Sequence, residues 1–170
     1  MTPHPLVAQL RFTRSEFQRA LTGLSAEDGS KRLAAMNSIS WTIGHLAWQE
    51  QRYFLTFAQG KTPWPALNEQ FASGGPAHTP ALAEAQQTWQ AVTQAADEWL
   101  DTATTEKLLE PFTSRTWSTN FGNLLQRVIY HYWYHTGEMM AIRQMLGQQN
   151  LEEFVGNIDG EAPFGVGGGG

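Results

Sequence analysis

Apolar positions recur at helical spacing in four stretches of this chain. From Asn120 to Gly147, Phe121, Leu125, Val128, Tyr132, His135, Met139, Ile142 and Leu146 alternate by fours and threes, the stripe of a helix that faces a core. Ser118-Thr119-Asn120 offers a cap for this helix and Gly147 a stop. Residues 4–24 predict a first helix, with Leu6, Leu10, Thr13, Phe17, Ala20 and Leu24 on one face and Arg11, Arg14, Glu16 and Gln18 off it. Pro3 and Pro5 suit its start. Residues 80–104 predict a third, with Leu82, Ala85, Trp89, Val92, Ala96, Trp99 and Ala103 in register and Pro80 in the first turn. Asp97, Glu98 and Asp101 read as its solvated face.

The second helix, residues 38–59 with Ser38 or Ser40 as cap, has a different pattern. Ile39, Ile43, Leu46, Glu50, Tyr53 and Phe57 form one stripe, and Trp41, His45, Trp48 and Leu55 a second, roughly opposite one. A helix apolar nearly all round is buried on several sides or sits in an oligomer interface. Glu50 on the main stripe and His45 between two tryptophans are out of place in a plain core. His45 lies more than ~90° around an ideal helix from the first stripe. Either the tryptophan side also faces the interior, or the helix is rotated or distorted.

The connections differ in length. Residues 60–79 hold Pro63, Pro65, Pro76 and the Gly74-Gly75 pair, which argue against helix; Trp64 and Phe71 there either cover a cavity mouth or anchor the loop. Residues 105–117 are irregular, and the run Thr113-Ser114-Arg115-Thr116 could pair briefly as strand. In the tail, 151–170, Phe154, Val155, Ile158 and Phe164 are placed to lie across the helices, and Gly167–Gly170 should be mobile. The expectation is an all-α four-helix bundle, one domain over residues 1–170. The long second connection leaves up-down-down-up and up-down-up-down both open.

Composition narrows the function. The chain has 170 residues, 41% apolar and 16% charged, with a net charge of −5. No run of Lys or Arg marks a nucleic-acid footprint. No apolar run approaches the ~18 residues of a membrane span, and the N-terminus lacks a signal-peptide pattern, so the cytoplasm is the expected compartment. Cysteine is absent, which removes thiolate ligands and a protein thiol nucleophile. Seven tryptophans and the two-sided second helix point to a homodimer.

The candidate chemistry lies in histidines. His131 and His135, at i and i+4, share one helix face. Two imidazoles turned into a core need partners, either a shared metal ion or neighbouring side chains and water. His45 is the third histidine on a predicted helix; His4, in a frayed start, and His78, in a loop, are set aside. Three imidazoles from two helices are a recurrent way to hold a divalent ion with a position left open. A zincin would need Glu where Tyr132 stands, and a di-iron carboxylate bundle Glu where Val128 and Tyr132 stand.

Trp41-Thr42-Ile43-Gly44-His45-Leu46-Ala47 with Glu50, and His131 to His135 followed by Thr136-Gly137-Glu138 and Leu146-Gly147, resemble the motifs of the DinB-like (YfiT-like) superfamily of metal-binding four-helix bundles. Element order and length agree over nearly the whole chain. The resemblance implies a divalent metal, zinc or nickel, on His45, His131 and His135, and the up-down-down-up topology. It also implies a metal-dependent enzyme acting on a small molecule, either a thiol-dependent S-transferase or isomerase or a hydrolase. Any thiol must then be a low-molecular-weight cosubstrate. Glu50, as a catalytic group, or Glu138 could orient an imidazole or carry a proton, although an exposed carboxylate is the simpler reading of Glu138. Arg52 or Arg143 could hold an anionic substrate, although surface charge is the simpler reading of each. The rival reading is a non-catalytic dimeric bundle that binds a metal or a small molecule.

Overall fold

Helix caps and stops fall close to where the sequence puts them. The computed structural model describes residues 3–114 and 117–164. Helix α1 spans Pro5–Ala20, and the His4 ring caps it by accepting from the Leu6 N–H at 3.2 Å. A short α2 follows, Ala26–Ser30. Ser38 caps α3, Ile39–Glu50, by accepting from the Trp41 N–H at 3.2 Å. The same helix continues as wider π-helical turns over Gln51–Phe57. Then come α4, Leu67–Gln70, and α5, Leu82–Leu100, which begins after Pro80 without a side-chain cap. After α6, Thr105–Leu109, strands β1, Pro111–Thr113, and β2, Ser118–Asn120, pair antiparallel with Phe112 opposite Thr119. Asn120 caps α7, Phe121–Met145, by accepting from the Asn123 N–H at 2.8 Å, and Gly147 ends it at a φ of 78°. A last short helix, α8, spans Ile158–Glu161.

The protein is mostly helical, and among the described residues none of its helices is long and apolar enough to cross a membrane. Helix α1 packs along α7 and α3 along α5, with α3 also touching α7, α2 and α4. Every residue of α3 from Ile39 to Glu50 is buried. Both of its apolar stripes are therefore covered within this chain, which resolves the apparent conflict over His45. The aromatic surface that suggested a dimer is also largely internal: Trp41, Trp48, Trp89 and Trp99 are buried.

A polar network runs through the core. Arg14 donates to both Glu50 oxygens, through Nε to Oε1 at 2.9 Å and through Nη2 to Oε2, and through Nη1 to Asp97 Oδ1 at 2.8 Å. Tyr132 Oη donates to Glu50 Oε1 at 2.7 Å and accepts from Trp89 Nε1 at 2.6 Å. The network joins α1, α3, α5 and α7. Burial opposes the Arg14 charge, but the Glu50 carboxylate outweighs it and keeps the guanidinium protonated. Arg14, read as lying off the core face, is thus part of the interior scaffold, and Asp97, whose side chain stays 37% exposed as its solvated reading implies, also anchors it from α5.

The 60–79 connection is tied down: the Gln51 amide donates to the Trp64 carbonyl at 2.9 Å and accepts from the Trp64 N–H at 2.8 Å. In the tail, Phe154 packs edge-on against Trp133 and Gln9 donates to the Ala162 carbonyl at 2.8 Å. Val155, Ile158 and Phe164, expected against the helices, are exposed. Arg115, Thr116 and Gly167–Gly170 lie outside the described residues.

Removing one member of a buried ion pair strands the other charge, which costs about 3–5 kcal/mol. Glu50→Ala should therefore lower stability in urea unfolding by that amount, whereas the exposed Glu98→Gln should change it by no more than ~0.5 kcal/mol. Equal, small effects of the two would mean that the network is dispensable.

Candidate metal centre

Helices α3 and α7 bring His45, His131 and His135 together, as the only group of three or more potential metal-binding side chains clustered among the described residues. Their free ring nitrogens converge. His131 Nε2 lies 2.9 Å from His135 Nε2 and 3.2 Å from His45 Nε2. All three ligand atoms fall within 4.8 Å of one another.

The other nitrogen of each ring decides what this convergence means. His45 Nδ1 faces the Phe71 carbonyl at 2.6 Å, His131 Nδ1 the Gln49 Oε1 at 2.8 Å, and His135 Nδ1 the Glu138 carboxylate at 2.5 Å. A carbonyl or carboxylate oxygen can only accept, so each Nδ1 carries the proton. A neutral imidazole then has a bare lone pair on Nε2. Three such lone pairs pointing at one another are mutually repulsive unless a cation lies between them. Imidazole nitrogens ~2.0–2.1 Å from an ion, at ~90–109° to one another, would stand about 2.9–3.4 Å apart. The His131–His135 and His131–His45 separations fall in that range, so the donor set fits a divalent ion.

Electrostatics keep the rings neutral. Burial, and then the neighbouring His135 and His45, push the His131 pKa down to about 3. Burial followed by His45 takes that of His135 to about 4. Burial also lowers that of His45, against the opposing pull of the Phe71 carbonyl and Glu138. Neutral imidazole is the ligating form.

The rings are also held in place. His45 is stacked between Trp41 and Trp48, with ring centroids 4.9 and 5.2 Å away. Trp48 Nε1 donates to Asn68 Oδ1 on α4 at 3.1 Å, which ties the 60–79 loop to this stack. Gly44 has a steric role: a Cβ there would run into the Phe71 ring, whose residue supplies the carbonyl to His45. Phe71 is thus an anchor. Beside His135 opens a cavity of about 360 Å³, lined by Met36, Asn37, Thr42, Tyr134 and Glu138 among others. Glu138 also accepts a hydrogen bond from the Tyr134 hydroxyl, whose pKa it raises.

The remaining expected residues separate. Glu50, the expected catalytic carboxylate, is fully buried in the Arg14–Tyr132 network, and the carboxylate that reaches a histidine is Glu138. The reading of Glu138 as a mere surface group is corrected by that contact. Arg143 is buried and donates to the Ala20 and Thr22 carbonyls, satisfying the end of α1. Arg52 lies over the rings of Trp48 and Phe57 at 5.4 and 5.3 Å. His4 is a helix cap, and the His78 ring packs on Phe71. Sequence reasoning missed Gln49, although it stands four residues after His45 on the same side of the helix. It also missed the Phe71 carbonyl, because a backbone acceptor leaves no mark in residue identity.

The depressed histidine pKa values make metal-free protein acid-sensitive. Below the ordinary value of 6.5 the unfolded chain binds protons that folded His131 and His135 refuse until about 3 and 4. Stability is therefore fully present above 6.5 and falls as pH drops toward those values, by ~1.4 kcal/mol per pH unit for each proton bound only by the unfolded chain. Urea midpoints of chelator-treated protein should fall between about pH 7 and pH 5, more steeply than those of His131→Gln. Identical slopes would contradict the buried, neutral assignment.

Comparison with protein families agrees with this geometry. The family model described as the DinB superfamily matches residues 9–139, a span that includes all three histidines. Comparison with curated proteins finds none that matches the chain. The match covers most of the sequence, and the chain belongs to the DinB superfamily.

Proposed function

We propose that this protein is a cytoplasmic, metal-dependent enzyme that activates a small nucleophile at a divalent ion, zinc or nickel, held by His45, His131 and His135. The observation that carries the reading is the convergence of three bare Nε2 lone pairs with every Nδ1 already engaged. Bound there, the ion would supply Lewis-acid activation, lowering the pKa of a thiol or water so that the anionic nucleophile exists at neutral pH. The chain has no cysteine, so in the thiol form of the reaction the nucleophile is a low-molecular-weight cosubstrate. Thiol S-transfer is the reaction we favour, with hydrolysis of a small molecule as its counterpart if water takes the thiol's place.

The side chains have distinct tasks in this reading. The Phe71 carbonyl, Gln49 and Glu138 fix each imidazole in the Nδ1–H tautomer and aim Nε2 inward. The cavity beside His135 admits the substrate. Glu138, at its wall and hydrogen-bonded to Tyr134, is the carboxylate placed to take up or return a proton. Glu50 maintains the packing of α3 against α7. The helices take the up-down-down-up order of a four-helix bundle.

We also propose a homodimer, in which the exposed Tyr130 and Met145 of α7 are apolar surface that a second copy covers. Light scattering at tens of micromolar should give about twice the 19.0 kDa chain mass, and a monomer would remove this part of the reading.

His135→Ala tests the centre. Losing one of three ligands should weaken metal binding by more than the ~10–100-fold typical of outer-shell changes. The variant should remain folded and helical but no longer gain thermal stability from Zn²⁺ or Ni²⁺; His78→Ala should keep that gain. Metal-loaded wild type should conjugate a small thiol to monochlorobimane, and His135→Ala should not. A full metal-induced rise in Tm for His135→Ala would refute the triad. Metal binding without turnover of thiol or ester substrates would favour the binding-bundle reading.

A further inference from the structure

We propose that Arg52 and Arg127 form a binding site for an oxyanion, a carboxylate or phosphoryl group, and that this site holds the anionic end of the small molecule acted on at the histidine cluster. The role in the reaction rests on the metal-centre reading above; the anion site itself does not.

Among the described arginines, these two are unlike the others. Arg11, Arg14 and Arg19 donate to carboxylates, Arg32 to the Met36 carbonyl, and Arg143 to backbone carbonyls and Gln148. Arg52 and Arg127 have neither a hydrogen bond nor an ion pair with any described residue. Yet they come from different helices, the π-helical end of α3 and the second turn of α7, to line one cavity of about 300 Å³ with Tyr53 and Trp117. Among the described residues no carboxylate lines that cavity, in a chain that carries 16 acidic and 11 basic residues.

The geometry suits recognition. Arg52 is held over the Trp48 and Phe57 rings at 5.4 and 5.3 Å, which steadies the guanidinium through its face and leaves its N–H edge free. A guanidinium edge matches the two oxygens of a carboxylate or phosphoryl group. Trp117, packed on Phe112 at 5.6 Å, gives an aromatic wall against which the body of such a molecule can lie. The cavity is also near the histidines. Arg127 stands one turn before His131 on α7, and its charge contributes to the field at His131. The Trp48 ring under Arg52 stacks on His45 at 5.2 Å.

Sodium benzoate and inorganic phosphate are suitable probes, titrated against metal-free protein at constant ionic strength. Saturable thermal stabilisation should appear with at least one of them. Arg52→Gln and Arg127→Gln should each weaken the apparent affinity about tenfold or more, as expected for losing a charged hydrogen-bonding partner. Arg127 is on the exposed face of α7, so its substitution carries the test even if Arg52→Gln disturbs the aromatic stack. A stronger response to benzoate would assign a carboxylate, and a stronger response to phosphate a phosphoryl group. His135→Ala should keep the anion response, so failure of the metal centre and failure of this site give different results. No saturable shift with either probe, or an unchanged shift in both Arg52→Gln and Arg127→Gln, would overturn the proposal.

Discussion

Glu50 is the constraint on which the packing of the long helices turns. A carboxylate with no exposure can remain charged in the interior only with a partner, and Arg14 meets both of its oxygens while Tyr132 adds a third donor. These contacts restrict how α3 can rotate and slide against α1 and α7. The consequence for the site is direct, because the two networks are interleaved in sequence. Gln49, which holds His131, immediately precedes Glu50; Tyr132, which holds Glu50, immediately follows His131. Neighbouring residues on each helix thus serve the core and the histidine cluster. A slip of either helix that broke one network would misalign the other.

On the other side of α3 the same economy of position holds the cluster. Each imidazole is fixed at Nδ1 by an acceptor from a different source: a loop carbonyl, a side-chain amide on α3 and a carboxylate on α7. Burial keeps the rings neutral at physiological pH. What remains unsatisfied is a set of lone pairs aimed at one point, the arrangement a cation relieves. Glu138 and Tyr134 line the cavity beside His135, and Arg52 and Arg127 line a separate one, so the two cavities carry opposite charges.

Much of the fold was legible in the sequence because helical periodicity is a local property. The four long helices, a cap at Ser38 or Ser40, another within Ser118-Thr119-Asn120 and the Gly147 stop all follow from spacing and cap chemistry, and the structure selects Ser38 and Asn120. The three histidines were also accessible, two from their i, i+4 spacing and the third from its odd position between tryptophans. Partners distant in sequence were not legible. Arg14 looked like a surface residue because its mate lies 36 positions away. Glu50 was recognised as anomalous but assigned to chemistry, since a lone carboxylate on an apolar stripe looks the same whether it meets a metal ligand or an arginine. Arg143 was misread for the same reason: its acceptors are backbone carbonyls more than a hundred residues earlier. The wider π-helical turns after Glu50 have no evident signature in the pattern.

The central claim, that these three imidazoles hold one divalent ion through Nε2, is tested most directly by X-ray absorption on protein loaded with a single equivalent of Zn²⁺ or Ni²⁺. The account predicts three imidazole nitrogens at ~2.0–2.1 Å, with the outer-shell scattering of intact imidazole rings and one or more light-atom ligands completing the sphere. His135→Ala should reduce the imidazole count to two. A spectrum with one imidazole or none, or one unchanged by the substitution, would contradict it.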